Sequence, residues 1–305
     1  MSPTQPTRVA FIGLGHMGGH MCRHVVEAGF DVAAYDLNPD AVDRAAADGA
    51  RPARSLSDCV RDDEILVTSL PGPPQVSEVL CGAEGAIGLL APRSLIIEMS
   101  TSSLEVGRAA QAAAQANDIH LIDAPVAGQT IGADAGTLAI YVGGEDSAFT
   151  RARPVLEAIG DPERIVHLGP AGSGYAVKLL LNLLWFIQSV ATGEALTIGV
   201  RAGVPLDRLH AALVASPANS VFLERDVLPL LGGGDYDEGF AMKLVTKDLG
   251  LAVDLARDMG VPAELSALVE QIHRRARAAY GDEAGEMSAI RLYEDLAHTQ
   301  LRWRS

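Results

Sequence analysis

Two polar residues interrupt an otherwise apolar helical run, and both could take part in proton transfer. The run is "VKLLLNLLWF" at residues 177–186, and its polar members are Lys178 and Asn182. Burying an unpaired charge is expensive, so a lysine in such a place pairs, extends to solvent or does chemistry. A buried amine whose pKa is driven toward neutrality can take a proton from an alcohol and return it in the reverse direction. Asn182 follows one helical turn later, where its amide can bind the reacting oxygen or hold the amine.

A glycine pattern near the start of the chain could bind a nucleotide. The segment "FIGLGHMGGHM" at 11–21 places Gly13, Gly15 and Gly18 in a G-x-G-x-x-G pattern between a strand-like run and a helical pattern. There the glycines allow a tight turn, close approach of a pyrophosphate and close helix–strand packing. Asp36 ends the second predicted strand, where its carboxylate can accept both ribose hydroxyls of NAD and repel the 2′-phosphate of NADP. Leu37 rather than an arginine follows, so the pattern favours NAD over NADP; a glycine turn without a ligand is the alternative.

Three histidines at the start of the same helical pattern raise the alternative of a metal site. His16, His20 and His24 are spaced four residues apart and share one helical face, as metal ligands can. The sequence nearby supplies no further ligands, and His16 lies in the turn expected to wrap the pyrophosphate. We therefore predict solvated or packed histidines and no metal.

The elements that must position these residues change in character along the chain. Short apolar runs alternate with helical patterns or turns and predict strands at 8–12, 31–35, 64–68, 94–97, 119–122, 138–142 and 164–168. This alternation predicts an α/β, Rossmann-like domain with a mostly parallel sheet over residues 1–169. Beyond a glycine-rich break, helical patterns follow from 173 to about 201 and at 206–215, 219–230, 241–259, 262–279 and 286–301. Residues 170–305 are therefore expected to form an all-α domain, joined to the first by the long helix.

Composition limits the partners of the chain. Its 305 residues are 48% hydrophobic and carry a formal net charge of −15, which opposes binding to nucleic acid or an anionic membrane surface. Three cysteines without metal spacing indicate a reducing compartment, and the polar opening residues do not resemble a signal peptide. We expect a cytoplasmic, soluble protein. The long helix is apolar on most sides, which predicts a homodimer or homotetramer.

Four segments together resemble the β-hydroxyacid dehydrogenase family, which includes 3-hydroxyisobutyrate dehydrogenase and tartronate semialdehyde reductase. They are the glycine turn, "DAPVAGQTIGADAGTLAIYVGG" at 123–144, "GSGYAVKLLLN" at 172–182 and "KDLGLAVDLARDMGVP" at 247–262. The resemblance runs nearly end to end. It implies a nicotinamide-dependent dehydrogenase whose N-terminal domain holds the cofactor, whose helical domain closes over it and whose substrate is a short hydroxyacid or the matching semialdehyde acid.

The resemblance also implies roles for individual residues. Lys178 matches the catalytic lysine and Asn182 its polar neighbour. Cofactor contacts are expected from the glycine turn, the ends of the second, third and fourth predicted strands and the last motif: Gly13, Leu14, Gly15, His16, Met17, Gly18, Asp36, Leu37, Leu70, Pro71, Gln75, Thr101, Lys247 and Asp248. Substrate contacts are expected from Ala127, Gly128, Gln129, Trp185, Phe240 and Lys247.

The chain departs from the family pattern at the loop expected to hold the substrate carboxylate. The family segment D-A-P-V-S-G-G reads "DAPVAGQ" here, with Ala127 in place of the serine and Gln129 in place of the second glycine. Ala127 cannot donate a hydroxyl hydrogen bond, and a lost bond to a charged group costs about 1.5–3 kcal/mol. The Gln129 amide can substitute, or Gln129 can be an ordinary loop residue. Leu183 also stands where family members often repeat asparagine.

Three functions remain in competition. The first is NAD-dependent oxidation of a β-hydroxyacid, or the reverse reduction, with Lys178 as general acid and base. The second is imine reduction on the same fold, which the lysine and Asp36 disfavour. The third is a non-catalytic cofactor-binding module, in which Lys178 only extends to solvent; the joint presence of Lys178, Asn182 and Lys247 disfavours it.

Overall fold

The computed structural model describes residues 7–60, 64–236 and 239–303. It divides into two compact units, Met1–Lys178 and Leu179–Ser305. The division falls inside the long helix, a little beyond the domain boundary predicted after residue 169.

A six-stranded parallel sheet forms the centre of the first unit. Its strands are β1 (Arg8–Ile12), β2 (Asp31–Tyr35), β3 (Arg51–Pro52), β4 (Ile65–Thr68), β5 (Leu95–Glu98) and β6 (His120–Asp123). They stand in the order β3-β2-β1-β4-β5-β6, and every neighbouring pair is parallel. The order reverses between β1 and β4, and ligands of such sheets bind at this reversal, beyond the carboxyl ends of the strands.

A small second sheet continues the first unit. It contains β7 (Val126–Ala127), β8 (Leu138–Val142) and β9 (Gly160–His167). β7 is antiparallel to β8, and β8 is parallel to β9. The predicted α/β, Rossmann-like class with a mostly parallel sheet is confirmed. β9 begins four residues earlier than the sequence pattern indicated, and the two-residue strands β3 and β7 were not predicted.

Among the described residues of the first unit, seven α-helices connect these strands and cover the sheet. They are α1 (Gly18–Glu27), α2 (Pro39–Ala47), α3 (Leu56–Cys59), α4 (Pro73–Cys81), α5 (Leu104–Ala116), α6 (Gln129–Ala135) and α7 (Asp146–Ile159). β4 and β5 are buried along their whole length because helices cover both faces, which explains their uninterrupted apolar runs. Local signals start several helices; for example, the Ser103 hydroxyl accepts the Val106 N–H at the start of α5.

The second unit is helical. Its elements are α8 (Ser173–Arg201), which begins in the first unit, α9 (Leu206–Val214), α10 (Leu228–Gly233), α11 (Met242–Asp258), α12 (Glu264–Tyr280) and α13 (Ser288–Ala297). Among the described residues after 178, strand pairing is limited to an isolated bridge between Ala241 and Gly285. The predicted all-α character is confirmed.

Two predicted helices differ from the structure. The helix expected over 219–230 is instead a π-helical segment, Phe222–Asp226, followed by α10. Pro229 lacks an N–H and is best accommodated in the first turn of a helix, and it lies in the first turn of α10. The helix expected to reach residue 301 ends at Ala297, because His298 adopts a left-handed conformation with φ 48°.

α8 is long and apolar enough to cross a membrane by length and composition. Its most apolar 18-residue window has a mean hydropathy of 1.4, and 33% of that window is buried. Core helices of soluble proteins meet the same criterion, so this is weak evidence for a membrane span.

Candidate active site

The glycine turn after β1 has the geometry of a phosphate-binding loop. A Cβ at Gly13, where φ is +93°, would lie 2.2 Å from the Ser69 carbonyl oxygen, and a Cβ at Gly18 would lie 1.9 Å from the Gly13 carbonyl oxygen. Both positions therefore require glycine. A Cβ at Gly15 would meet nothing within 4 Å, and Gly15 is exposed. The turn is thus closely packed on the protein side and open at Gly15, where a pyrophosphate can approach the N-terminus of α1.

Asp36 connects the end of β2 to this turn. Its Oδ2 accepts the Leu14 N–H at 2.7 Å, and its Oδ1 accepts the Asn38 N–H at 2.8 Å. Each carboxylate oxygen retains a further lone pair for a ribose hydroxyl. Leu37 is 89% exposed beside it and contributes no positive charge. The predicted pattern of a turn plus a carboxylate at the end of the second strand is therefore present in three dimensions.

The other predicted cofactor residues follow neighbouring strands. Leu70 and Pro71 follow β4, and Thr101 follows β5. The Leu70 N–H donates to the Ser100 hydroxyl at 2.8 Å, which holds the loop after β4 to the loop after β5. Gln75 is exposed within the first turn of α4. Because these loops leave the carboxyl ends of adjacent parallel strands, the fold brings them to the same edge as the glycine turn.

The predicted substrate loop has a strained backbone. Gly128 has φ 134° and Gln129 has φ 55°, a left-handed conformation in a residue other than glycine. This accounts physically for the glycine that the family pattern places at position 129, because glycine adopts that conformation without a side-chain penalty. Strained residues of this kind cluster at binding sites. Ala127 lies in β7 directly before them.

A buried carboxylate anchors the start of α8. Asp123 ends β6 with only 1% exposure, and it accepts the Gly172 N–H at 2.7 Å and the Tyr175 N–H at 2.9 Å. Burial raises the pKa of Asp123, and the backbone N–H donors oppose that rise. A negative group is stabilised at the N-terminus of a helix by the helix dipole. Asp123 therefore ties the helix that carries Lys178 to the carboxyl end of the parallel sheet.

Lys178 is the sixth residue of α8 and is partly buried at the end of the first unit. Asn182 lies one turn further along the same helix, where the second unit begins. The i, i+4 spacing on one helical face that the sequence predicted is present, because α8 is continuous here.

Asn182 and the last motif meet within the second unit. The Asn182 Nδ2 donates to Asp248 Oδ2 at 2.7 Å, and the Lys247 Nζ lies 3.1 Å from Asp248 Oδ1. Asp248 is only 2% exposed. A carboxylate accepts but does not donate hydrogen bonds, so this contact orients the amide and leaves the Asn182 carbonyl oxygen pointing elsewhere. The structure thus brings three predicted site residues together.

Two residues expected to line the substrate pocket pack into the second unit's interior. The Trp185 indole donates to Asp226 at 2.9 Å and packs edge-on against Phe222, with ring centroids 4.9 Å apart. Phe240 packs against the same helical core that contains Phe186. Their assignment to the substrate stays a prediction.

The three histidines do not share one environment, because His16 precedes α1 and the other two lie within it. His16 is exposed in the turn, His20 lies 3.1 Å from Asp134, and the His24 Nε2 lies 2.9 Å from the Asp134 carbonyl oxygen. No cluster of three or more potential metal ligands occurs in the described ranges of the chain.

Asp123, Glu98 and Tyr175 were not predicted as site residues. Asp123 stands in the quoted "DAPVAGQ" motif, but a buried role at the end of a strand cannot be distinguished there from a turn residue. Tyr175 likewise stands in the quoted "GSGYAVKLLLN" segment, but the sequence could not pair it with Glu98, because their contact joins residues 77 positions apart.

Two family profiles together cover most of the chain. The family profile of the NAD-binding domain of 6-phosphogluconate dehydrogenase matches residues 8–169. A second profile, described as the NAD-binding domain of NADP-dependent 3-hydroxyisobutyrate dehydrogenase, matches residues 172–293. The chain belongs to the β-hydroxyacid dehydrogenase family. It is a nicotinamide-dependent hydroxyacid dehydrogenase.

Individual members of the family are similar over almost the whole chain. The 3-hydroxyisobutyrate dehydrogenase of Pseudomonas aeruginosa is 36% identical over 90% of this chain and 94% of its own length. The NAD-dependent L-serine dehydrogenase of the same species is 34% identical over 88% of this chain and 91% of its own. The solved structure of Mycobacterium tuberculosis 3-hydroxyisobutyrate dehydrogenase with L-serine has a TM-score of 0.88 and 32% identity, covering 94% of this chain and 99% of that one.

Proposed function

We propose that this dehydrogenase transfers a hydride between NAD(H) and a short β-hydroxyacid or its semialdehyde, with Lys178 as general acid and base. One observation carries the proposal: the helix bearing Lys178 is fastened through Asp123 to the same carboxyl edge of the sheet that bears the glycine turn and Asp36. Nicotinamide supplies hydride acceptance when bound. The other requirement, a group that exchanges the hydroxyl proton, is met by a partly buried amine.

Each predicted residue then has a physical task. The open backbone at Gly15 binds the pyrophosphate, and Asp36 binds the ribose hydroxyls. Lys178 takes the hydroxyl proton during oxidation and returns it during reduction. Asn182, oriented by Asp248, presents its carbonyl oxygen as a fixed acceptor, and Lys247 supplies positive charge for an acidic substrate or the cofactor. Gly128 and Gln129 hold the substrate carboxylate in place of the hydroxyl that Ala127 lacks.

Replacing Lys178 tests the proposal. Lys178→Ala should lose at least about 10²-fold in kcat, the range for removing a general acid or base, while NAD binding measured by fluorescence titration stays near normal. Lys243→Ala is the matched control, because Lys243 is an exposed lysine paired with Glu283 in the second unit. Near-normal turnover in Lys178→Ala would remove the lysine from the mechanism.

We further propose that NAD is preferred over NADP, on the basis of Asp36 and Leu37. The double substitution Asp36→Ser with Leu37→Arg should raise kcat/KM with NADP and lower it with NAD, because it removes the negative charge and adds a positive one beside the 2′ position. An unchanged ratio of the two efficiencies would contradict the assignment.

We propose the substrate class from the family and from the loop at residues 127–129, which is expected to hold a substrate carboxylate. Relatives are named for 3-hydroxyisobutyrate and L-serine, both short acids with a hydroxyl on the β-carbon. A screen of hydroxyisobutyrate, glycerate, serine, threonate and sulfonate analogues, with cyclic imines added, separates this function from imine reduction. Turnover of the imines without turnover of any hydroxyacid would overturn the proposal.

Two further proposals concern the state of the protein. We propose that a second copy of the chain covers the exposed apolar side chains of α8, because Leu180, Leu184 and Ile198 are 52%, 56% and 63% exposed. A monomer in sedimentation at micromolar concentration would contradict this.

We also propose a cytoplasmic location, which fractionation of cells producing the protein would test.

A further inference from the structure

A buried carboxyl group lies beneath the first turn of α8 in the first unit. Glu98 is the last residue of β5 and is fully buried. Its Oε1 accepts the Ser100 N–H at 2.9 Å and the Thr68 hydroxyl at 3.3 Å. Its Oε2 accepts the Tyr175 hydroxyl. The side chain therefore joins β4, β5 and α8 through a single carboxyl group.

Tyr175 is fixed at both ends. The residue is 1% exposed, and a Cβ at Gly107 would lie 2.5 Å from its ring, so α5 packs directly against it. Its backbone N–H donates to Asp123 at 2.9 Å, and its hydroxyl reaches Glu98 on the far side. A helix held at its backbone and through one long side chain cannot rotate about its axis without breaking one of the two contacts.

The same carboxyl group also reaches the predicted cofactor loops. The Ser100 N–H that binds Glu98 belongs to the residue whose hydroxyl accepts the Leu70 N–H at 2.8 Å. Leu70 leads into the loop after β4, and Thr101 directly follows Ser100. Glu98 thus connects the loops expected beside the nicotinamide with the helix that carries the proposed acid and base.

We propose that Glu98 and Tyr175 are positioning residues that fix the rotation of α8, and with it the amine of Lys178, relative to the cofactor loops. Lys178 stands three residues after Tyr175, less than one helical turn away. The inference rests on the proposed role of Lys178. It assigns no proton transfer to Glu98 or Tyr175; they act through the hydrogen bond between them, which holds the Tyr175 side chain in place.

The electrostatics of the pair agree with a geometric role. Burial raises the pKa of the Glu98 carboxyl, and burial together with Glu98 raises the pKa of the Tyr175 hydroxyl. Burial is the largest cause of both shifts, as expected for a hydrogen-bonded pair that is excluded from water.

The test compares Tyr175→Phe with Glu98→Gln. Phenylalanine keeps the ring packing against α5 but removes the hydroxyl, so α8 loses one of its two fixed points. Glutamine keeps a carbonyl oxygen for Ser100 and Thr68 and an N–H that can donate to the tyrosine oxygen. Tyr280→Phe is the matched control, because the Tyr280 hydroxyl also binds a carboxylate, Asp295 at 2.6 Å, in the second unit.

Tyr175→Phe should lower kcat by about 10-fold or more, since misplacing a reacting group by about 1 Å costs about 10²-fold. The dissociation constant of NAD should stay unchanged, because the link from Leu70 through Ser100 to Glu98 remains. Glu98→Gln should keep kcat near that of the unaltered enzyme. These results together, with Tyr280→Phe unaffected, would support the proposal.

Other outcomes overturn it. An unchanged kcat in Tyr175→Phe, or an equal loss in Tyr280→Phe, would mean that the contact does not position the amine. Loss of NAD binding together with activity would mean that the hydroxyl maintains the fold as a whole. Lys178→Ala, measured in parallel, separates the two proposals: if that variant stays active, the proposed function fails, whatever Tyr175→Phe shows.

Discussion

A buried histidine makes the stability of the second unit depend on pH. His273 is fully buried and packs edge-on against Phe186, with ring centroids 5.3 Å apart. Its Nδ1 lies 2.9 Å from the Val269 carbonyl oxygen, which can only accept, so Nδ1 carries the proton of the neutral ring. Its Nε2 is buried and has no hydrogen-bond partner in the part of the chain that the structure describes. Burial lowers the pKa of His273 from 6.5 to about 4.

The sign of the effect follows from which state takes up the proton. Protonation would place an N–H at Nε2 without an acceptor, so the folded state stays neutral while the unfolded chain is protonated below pH 6.5. The contribution of His273 is therefore complete above pH 6.5 and is lost as the pH falls toward 4. A pKa difference of one unit corresponds to 1.36 kcal/mol, so the difference between 6.5 and about 4 contributes about 3 kcal/mol to the free energy of unfolding. About 2 kcal/mol of this contribution is lost by pH 5.

Urea unfolding at pH 7.5 and pH 5.0 measures this loss. The chain has two tryptophans, Trp185 and Trp303, and both lie in the second unit, so tryptophan fluorescence reports on its unfolding. Between the two pH values the free energy of unfolding should fall by about 2 kcal/mol more in the unaltered protein than in His273→Leu, which cannot titrate.

A second histidine serves as the control. His298→Asn removes an exposed imidazole from the same unit at a left-handed position that asparagine tolerates. Its pH dependence should match that of the unaltered protein. An equal loss of stability in His273→Leu and in the unaltered protein would refute the reasoning, because it would show that the folded state accommodates the charged ring.

Further predictions concern the glycine turn and the oriented amide. Gly13→Ala should lower the free energy of unfolding by at least about 1–2 kcal/mol and abolish NAD binding, because its Cβ would meet the Ser69 carbonyl oxygen in a left-handed conformation. Gly15→Ala should leave the melting temperature unchanged but weaken NAD binding in a fluorescence titration; normal affinity would show that no pyrophosphate approaches there. Asn182→Ala should cost about 1.5–3 kcal/mol in urea unfolding, because the buried Asp248 carboxylate loses its donor at 2.7 Å, and an unchanged midpoint would contradict this.

Most elements of the fold could be predicted because their signals are local. The predicted strand 8–12 and the predicted long helix from 173 to about 201 agree with β1 and α8. Both were predicted because the pattern of apolar residues over a short stretch of sequence indicates a buried strand or an apolar helix. The strand β7 could not be predicted in this way. It has two residues, and only pairing with β8, more than ten residues later, makes it a strand.

Some features of the candidate site could likewise be predicted from local sequence, and others could not. The glycine turn, Asp36 and the helical spacing of Lys178 and Asn182 were predicted because the chemistry depends on residue type at short spacing. The contact between Asn182 and Asp248 joins residues 66 positions apart, and that between Tyr175 and Glu98 joins residues 77 apart. No short-range pattern encodes such pairs.

The amino-acid sequence by itself determined the class of fold, and it predicted a nucleotide-binding turn and the residues proposed to exchange a proton, because each of these depends on local spacing and side-chain chemistry. The tertiary structure alone decided how that chemistry is held. Burial turned Glu98, an ordinary strand-end residue in the sequence, into a connection between two loops and α8, and it turned Asp123 into the anchor of that helix. The physical reason is that the strength of a polar contact depends on exclusion of water, and only the folded chain decides which groups lose their water.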